Sequence, residues 1–265
     1  MKVISTIGSG SGALLKSLLA YVDAPTSVLY WGVNPPLDPP HTVIHCGKFI
    51  DGMQQLQAMA TAKIGVPAFT SDLQEAIQWQ QSEGTNVWGR MTTHTQGRDI
   101  RRYGHKEWAE REFWVKQIPS SAIVNEWRLH VFNGLSIARG KKTQVELLAR
   151  KLAPLVRSRR NGWRLAHADE PPQGAKFYAK AAVGACGYLW GAVDMLEVDL
   201  TKMPANTIVN QEKLQKSLDK SLLTPFVVLE VNQKPGMDDY TAGKYAEAVK
   251  KYHLKTSKTA NPAAL

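Results

Sequence analysis

Apolar and polar positions change rhythm several times along the chain. It opens on KVISTI (residues 2–7), a β-prone run that ends at GSGSG, and continues into ALLKSLLAYV (13–22), whose apolar spacing is helical. That is a strand, a glycine turn and a helix. GSGSG lacks the GxGxxG spacing, and no acidic ribose partner stands out after the next strand, so it reads as a tight turn rather than a dinucleotide fingerprint. A Pro-rich loop, NPPLDPP (34–40), precedes a helix predicted over 51–63, which Gly65 stops ahead of Pro67. Ser71-Asp72-Leu73-Gln74 matches a capping box and opens a second helix through about Gln81.

From there the period shortens. NVWGRM (86–91) and FWVKQI (113–118) are strand candidates separated by the polar segment THTQGRD. EWRLHVF (126–132) alternates clearly, then comes Asn133-Gly134, then LSIARGKK: two extended runs around Asn-Gly are the strongest hairpin signal in the chain. Residues 144–160 are basic and follow neither period. GAKFYAKAAVGACG (174–187) is helical, GAVDMLEVD (191–199) is a strand, and the polar, Lys-rich 200–224 reads as an insertion holding at most a short helix. FVVLEVN (226–232) is a buried strand with a Pro-Gly turn in 233–237, and 241–252 is a last helix with a frayed tail after His253. No internal repeat is visible. This order predicts α+β lobes rather than one doubly wound sheet.

Composition narrows the picture. With 265 residues, 43% of them hydrophobic, the chain can bury a core as one unit or as two to three small lobes. No apolar run approaches the roughly 20 residues that span a bilayer, and the opening lacks a secretory leader pattern, so a cytoplasmic location without membrane attachment is expected (the host's cytoplasm for a phage-encoded chain). Cys46 and Cys186 are too few for a disulfide framework and are expected as buried free thiols. A net charge of +10 favours anionic partners: a nucleotide, an acidic peptide or nucleic acid. The basic residues are spread, with clusters at 98–102, 139–142 and 157–164, which suits phosphate handling better than a DNA-binding arm. Eight tryptophans keep a nucleic-acid-binding module as the alternative, although Trp88 and Trp127 occupy strand positions where core packing is the commoner role.

Four segments carry chemistry. In VVLEVNQKPGM, strand alternation puts Glu230 and Asn232 on one side, two oxygen donors suited to a hard cation, and Asp194 in GAVDML can add a third from a neighbouring strand. Arg90 with the loop 92–99 can cover phosphates through a cation and backbone N–H groups. Glu126, Arg128 and His130 share one face of their strand and meet either water or a cleft, while Trp127, Leu129 and Val131 supply the core side. Arg157 to Asn161 is either a helix surface or loop, or a clamp on phosphates or an acidic substrate.

Taken one at a time these signals are short; their order is specific. KIGVPAFT, GRMTTHTQGRDI, FWVKQI, EWRLHVFNGLSIARGKK, RRNGWRL, GAVDMLEVD and LEVNQKPGM, over about residues 50–250, resemble the ATP-grasp carboxylate–amine ligases. The likeness is to the small phage and bacterial members that share the ribosomal-protein glutamate-ligase arrangement. The resemblance implies two α+β lobes clasping ATP and a small N-terminal α/β lobe. The expected division is 1–50, a nucleotide-binding lobe at 51–123, a metal- and substrate-binding lobe at 124–255 and a tail at 256–265.

The resemblance also implies roles. Arg90 meets the phosphates, and His94, Gln96, Gly97 and Arg98 belong to the loop that folds over them. Lys116, Gln117 and Ile118 form a hinge that meets adenine through backbone groups. Lys141 or Lys142 approaches the nucleotide from the returning strand. Arg128, Arg160 and Asn161 face phosphate or substrate carboxylate as catalytic groups, and Asp194, Glu230 and Asn232 hold Mg²⁺. The implied reaction joins a carboxylate to an amine, an amino acid or peptide among the candidates, through an acyl phosphate made from ATP. A kinase-like protein that stops at phosphoryl transfer is the variant use of the same site. Three departures stand out: one glycine in the loop, Arg90 where lysine is common, and the long 200–224 insertion.

Overall fold

The computed structural model describes residues 2–5, 27–31, 42–82, 84–92, 100–144, 163–167, 170–211 and 225–260. The GSGSG turn, the helix expected at 13–22 and the Pro-rich loop fall outside them, as do the basic stretch after Gln144 and much of the 200–224 insertion.

Three short strands, β1 (Lys2–Ser5), β2 (Ser27–Trp31) and β3 (Thr42–His45), form a parallel sheet in that order. A helix follows, α1 (Gly52–Thr61). Its N-cap Asp51 accepts from the Gln54 N–H while the Gln54 side chain returns a bond to the Asp51 N–H, a capping box that satisfies two backbone donors. β4 (Val66–Pro67) and β5 (Phe69–Thr70) lead to α2 (Leu73–Ser82). Here the expected box shifts: Asp72, not Ser71, accepts from the Gln74 N–H, and Thr70 Oγ1 accepts from the Asp72 N–H.

A four-stranded antiparallel sheet comes next, in the order β5, β8 (Phe113–Lys116), β6 (Val87–Arg90), β7 (Arg101–Arg102). The larger sheet has five strands. Its order is β11 (Trp163–His167), β10 (Leu135–Gln144), β9 (Ile123–Phe132), β12 (Trp190–Val198), β14 (Phe226–Asn232). Asn133 and Gly134, with φ of 46° and 69°, join β9 to β10 in the left-handed conformations that a two-residue hairpin demands. Within the stretch expected as an insertion, Leu200–Lys202 is a single 3₁₀ turn and β13 (Ile208–Val209) pairs with β4.

α3 (Gln173–Ala185) covers one face of the large sheet: its Ala175, Ala179, Ala182 and Val183 join one core with Trp127, Leu129, Val131, Val193 and Val231. α4 (Asp239–Ala260) sits against the opposite side near the hairpin, and runs seven residues beyond the expected frayed point at His253. The parallel sheet docks there too. Trp31 stacks on Trp190 at 5.1 Å, Trp190 stacks on Phe132 at 5.9 Å, and Tyr245 of α4 meets Trp31 edge-on. Among the described residues no helix is long and apolar enough to cross a membrane.

Candidate functional site

The site face of the large sheet follows from its register. Arg128 on β9 lies directly opposite Asp194 on β12, which lies directly opposite Glu230 on β14. One step along, His130, Ala192 and Asn232 form a second row. Residues opposite one another in a sheet project to the same side, so cations, carboxylates and the amide converge. Glu126 and His130, expected to face water or a cleft, are both about 5% exposed, so this side is a covered cleft and not a solvated face.

Arg128 grips Asp194 with both arms of its guanidinium, Nε to Oδ1 at 2.6 Å and Nη2 to Oδ2 at 2.5 Å. Burial alone would push the Asp194 carboxyl up; the charge of Arg128 and its hydrogen bonds outweigh that and hold it below its ordinary range. The guanidinium gains in the same way: burial works against its charge, but Asp194, Glu230 and Glu126 raise its pKa. Asn232 Nδ2 donates to Glu230 Oε1 at 2.9 Å. Arg90 reaches across from β6 and places Nη2 3.2 Å from Glu230 Oε2, its own guanidinium lying over the Phe113 ring. Lys142 of β10 pairs with the buried Glu126 beside Arg128.

His130 is kept neutral. Burial, then the neighbouring Arg128, lower its pKa to about 3, and the Tyr245 hydroxyl lies 3.3 Å from Nδ1.

Two lysine side chains turn away from the site. Lys141 does not face the site: its ammonium lies over Trp127, on the α3 side of the sheet. The reason is a bulge. Ser136 pairs with Val131 but Ala138 pairs with His130, so Ile137 is an extra residue and every later position on β10 swaps face. Lys142 takes the place that an unbroken hairpin would give to Lys141. Lys116 also turns away, its ammonium 4.7 Å from the Trp79 ring under α2, so only its backbone borders the hinge. Ile118 packs with Leu196, Val198 and Val227 between the two sheets, and Gln117 accepts the Trp88 indole N–H at 3.1 Å. His94, Gln96, Gly97, Arg98, Arg160 and Asn161 lie outside the described residues.

Sequence reasoning missed three groups: Glu126 as the partner of Lys142, Trp88 as the partner of Gln117, and Glu112. The last carboxylate accepts from the Thr92 N–H, while the Thr92 carbonyl accepts from Gly52 N–H at 3.1 Å, so the root of the 93–99 segment is tied to the first turn of α1. The thiols are buried as expected and pushed up to about 12 by desolvation, which leaves no reactive thiolate at neutral pH. Six of the eight tryptophans are buried, which removes them from any base-stacking surface.

The donor set at Asp194, Glu230 and Asn232 is all oxygen, as Mg²⁺ prefers. Both Asp194 oxygens already accept from Arg128, yet a carboxylate oxygen keeps a second lone pair, so the set fits a hard cation alongside its present partners. Among the described residues no group of three or more His, Cys, Asp and Glu side chains is placed to hold a metal ion; the set here is two carboxylates and an amide.

No family model matches the chain. No curated protein matches it by sequence. Its shape does match solved structures. The ATP-grasp ligase PsnB complexed with minimal precursor, Mg and ADP superposes with a TM-score of 0.57 at 10% identity, over 94% of this chain and 96% of that one. The chain here has an ATP-grasp fold. D-cycloserine synthetase DcsG has the same TM-score at 13% identity, covering 94% and 98%. D-alanine–D-alanine ligase from Bacillus anthracis also gives 0.57, at 11% identity and 97% of both chains. Arg90 of the four-stranded sheet and Glu230 of the five-stranded sheet meet where the two sheets face each other.

Proposed function

We propose that this chain is an ATP-dependent carboxylate–amine ligase that forms amide or peptide bonds through an acyl phosphate. The observation that carries the reading is the convergence of Arg90 from one sheet with Arg128, Asp194, Glu230 and Asn232 from the other. The similarity to the ATP-grasp ligase PsnB, solved with the precursor peptide PsnA2, and to D-alanine–D-alanine ligase supports it.

In this reading Asp194, Glu230 and Asn232 hold Mg²⁺, which supplies positive charge to the triphosphate. Arg90 binds phosphate from the small sheet, Lys142 from the large one, and the backbone of Lys116 to Ile118 meets the adenine. A substrate carboxylate attacks the γ-phosphorus, ADP leaves, and an amine then displaces phosphate from the acyl phosphate. The chain's own task is placement and charge neutralisation. Arg128 does not leave Asp194; it fixes that carboxylate and spreads positive charge along the site. The absence of a nucleophile–base pair among the described site residues is consistent with direct attack. The further assignment to the glutamate-ligase-like branch rests on the motif order, and the lobe limits 51–123 and 124–255 belong to the same proposal.

The test is thermal unfolding with and without millimolar ATP and Mg²⁺. The wild type should be stabilised, by about 2.7 kcal/mol at a hundredfold excess over Kd, and Glu230→Ala should lose the shift. A wild type that ignores nucleotide would sink the reading. Product analysis then separates ligase from phosphotransferase: a phosphorylated acceptor that persists in the presence of amines would favour the latter.

A further inference from the structure

The N-terminal sheet leaves one of its edges open. β3 pairs with β2 on one side, and among the described residues no strand pairs with the other. A cleft of about 370 Å³ runs along that free edge, bordered by residues 43–47, by residues 187–189 and by Tyr252 of α4. Side chains alternate across a strand, so successive residues all border one cleft only where their backbone forms its wall. Ile44 and Cys46 show it: their side chains are buried in the core, yet both line the opening. One end of the edge is already taken, where the Leu189 N–H donates to the Cys46 carbonyl at 2.5 Å and Gly47 lies against the Gly187 carbonyl. What remains, residues 43–45, is a row of backbone groups about 10 Å long, the complement of another extended chain.

The charge around the opening selects that chain. Lys48 is exposed beside it and is followed by the exposed Phe49. On α4, Lys251 and Lys255 are exposed, one turn apart, and flank Tyr252, whose ring rests edge-on against Phe132 at 5.8 Å. His45 is exposed on the strand itself, its Nδ1 accepting the Gly47 N–H at 3.2 Å. None of the residues lining the cleft is acidic. In the flanking sequence the acids Asp51 and Glu247 are engaged, one as the cap of α1 and the other with Lys244. A second copy of this chain would bring the same cations face to face, and a nucleic acid has no amide edge to pair with a strand. We propose that the free edge of β3 docks an extended, acidic peptide segment of a partner protein. That segment adds a strand to the N-terminal sheet, sets carboxylates against Lys48, Lys251 and Lys255, and packs an apolar side chain on Phe49. The site needs neither nucleotide nor metal, and it stands whether or not the ligase reading does.

The experiment follows the fluorescence anisotropy of a short labelled peptide of alternating Glu and Val as the whole chain is titrated in. The Lys-Val counterpart should bind at least about tenfold more weakly. The Glu-Val peptide methylated on its backbone nitrogens keeps its charges but cannot donate to a strand, and should lose binding. Combining Lys48→Glu, Lys251→Glu and Lys255→Glu should weaken the Glu-Val peptide about tenfold, the sum of three exposed ion pairs; the melting temperature of this variant checks that it folds. Amide exchange should slow in β3 when the Glu-Val peptide binds and stay unchanged at β6 and β14. The proposal is overturned if the Glu-Val peptide does not bind, if its methylated form binds as well, or if the triple variant binds it unchanged. Two other results assign the edge elsewhere and overturn it too: a single-stranded oligonucleotide that binds with the same lysine dependence in place of the peptide, or a dimer whose β3 amides are already protected without any peptide.

Discussion

Arg128 and Asp194 are each other's main means of being charged inside the protein. Removing one partner of such a pair leaves a buried charge uncompensated, at a cost of about 3–5 kcal/mol. Arg128→Ala should therefore lower the melting temperature steeply, and the double variant Arg128→Leu with Asp194→Leu should recover much of that stability while remaining inactive; calorimetry of the three proteins checks it. His130 gives a pH signature. Its folded pKa of about 3 lies below the ordinary 6.5, so the unfolded chain binds a proton that the folded chain refuses. Stability should be full above about pH 6.5 and fall on acidification, by up to about 1.4 kcal/mol per pH unit, until pH nears 3. Asp194, with its depressed pKa, loses its stabilising charge only at the acidic end of that range. Urea unfolding between pH 6.5 and 5 should therefore isolate the histidine, and His130→Gln should flatten the slope there.

Elements were legible where local pattern and tertiary demand agree. β14 occupies the predicted residues 226–232, β12 lies one residue from its expected limits, and the Asn133-Gly134 hairpin turns where the dipeptide says it must. They were illegible where a partner far away decides. Nothing in residues 126–130 announces that Tyr245 of α4 will cover His130 or that Lys142 will pair with Glu126, so the burial of both was open. Nothing in LSIARGKK announces that Ile137 bulges out, so the choice between Lys141 and Lys142 was open too. β11 is five residues of the segment GWRLAH, too brief to separate from a loop by alternation. The capping box at Asp51 and Gln54 was readable and overlooked; Asp51→Ala should cost about 1 kcal/mol of stability by chemical denaturation. The bulge makes a sharper forecast. Lys142→Ala should weaken ATP binding in a fluorescence titration, and Lys141→Ala, on the other side of the sheet, should leave it within twofold.

At the scale of the whole chain, the α+β character and the ATP-grasp arrangement followed from the order of motifs, but the way the parts lock together did not. The N-terminal sheet is joined to the rest by rings and by backbone: Trp31 on Trp190, and Gly47, whose φ of 128° and absent side chain let it lie against the Gly187 carbonyl. A Cβ there would sit 2.5 Å from that oxygen, so Gly47→Ala should loosen this joint, seen as faster amide exchange in β2 and β3. The bond between Arg90 and Glu230 spans the other joint. Because each already neutralises its opposite number, neither charge is idle before a guest arrives. Arg90 can let go at little cost only when a cation relieves Glu230 in the same event, and Glu230 only when an anion receives Arg90. Metal ion and nucleotide should then strengthen one another's binding, each far weaker alone, and exchanging Glu230 for glutamine should uncouple the two.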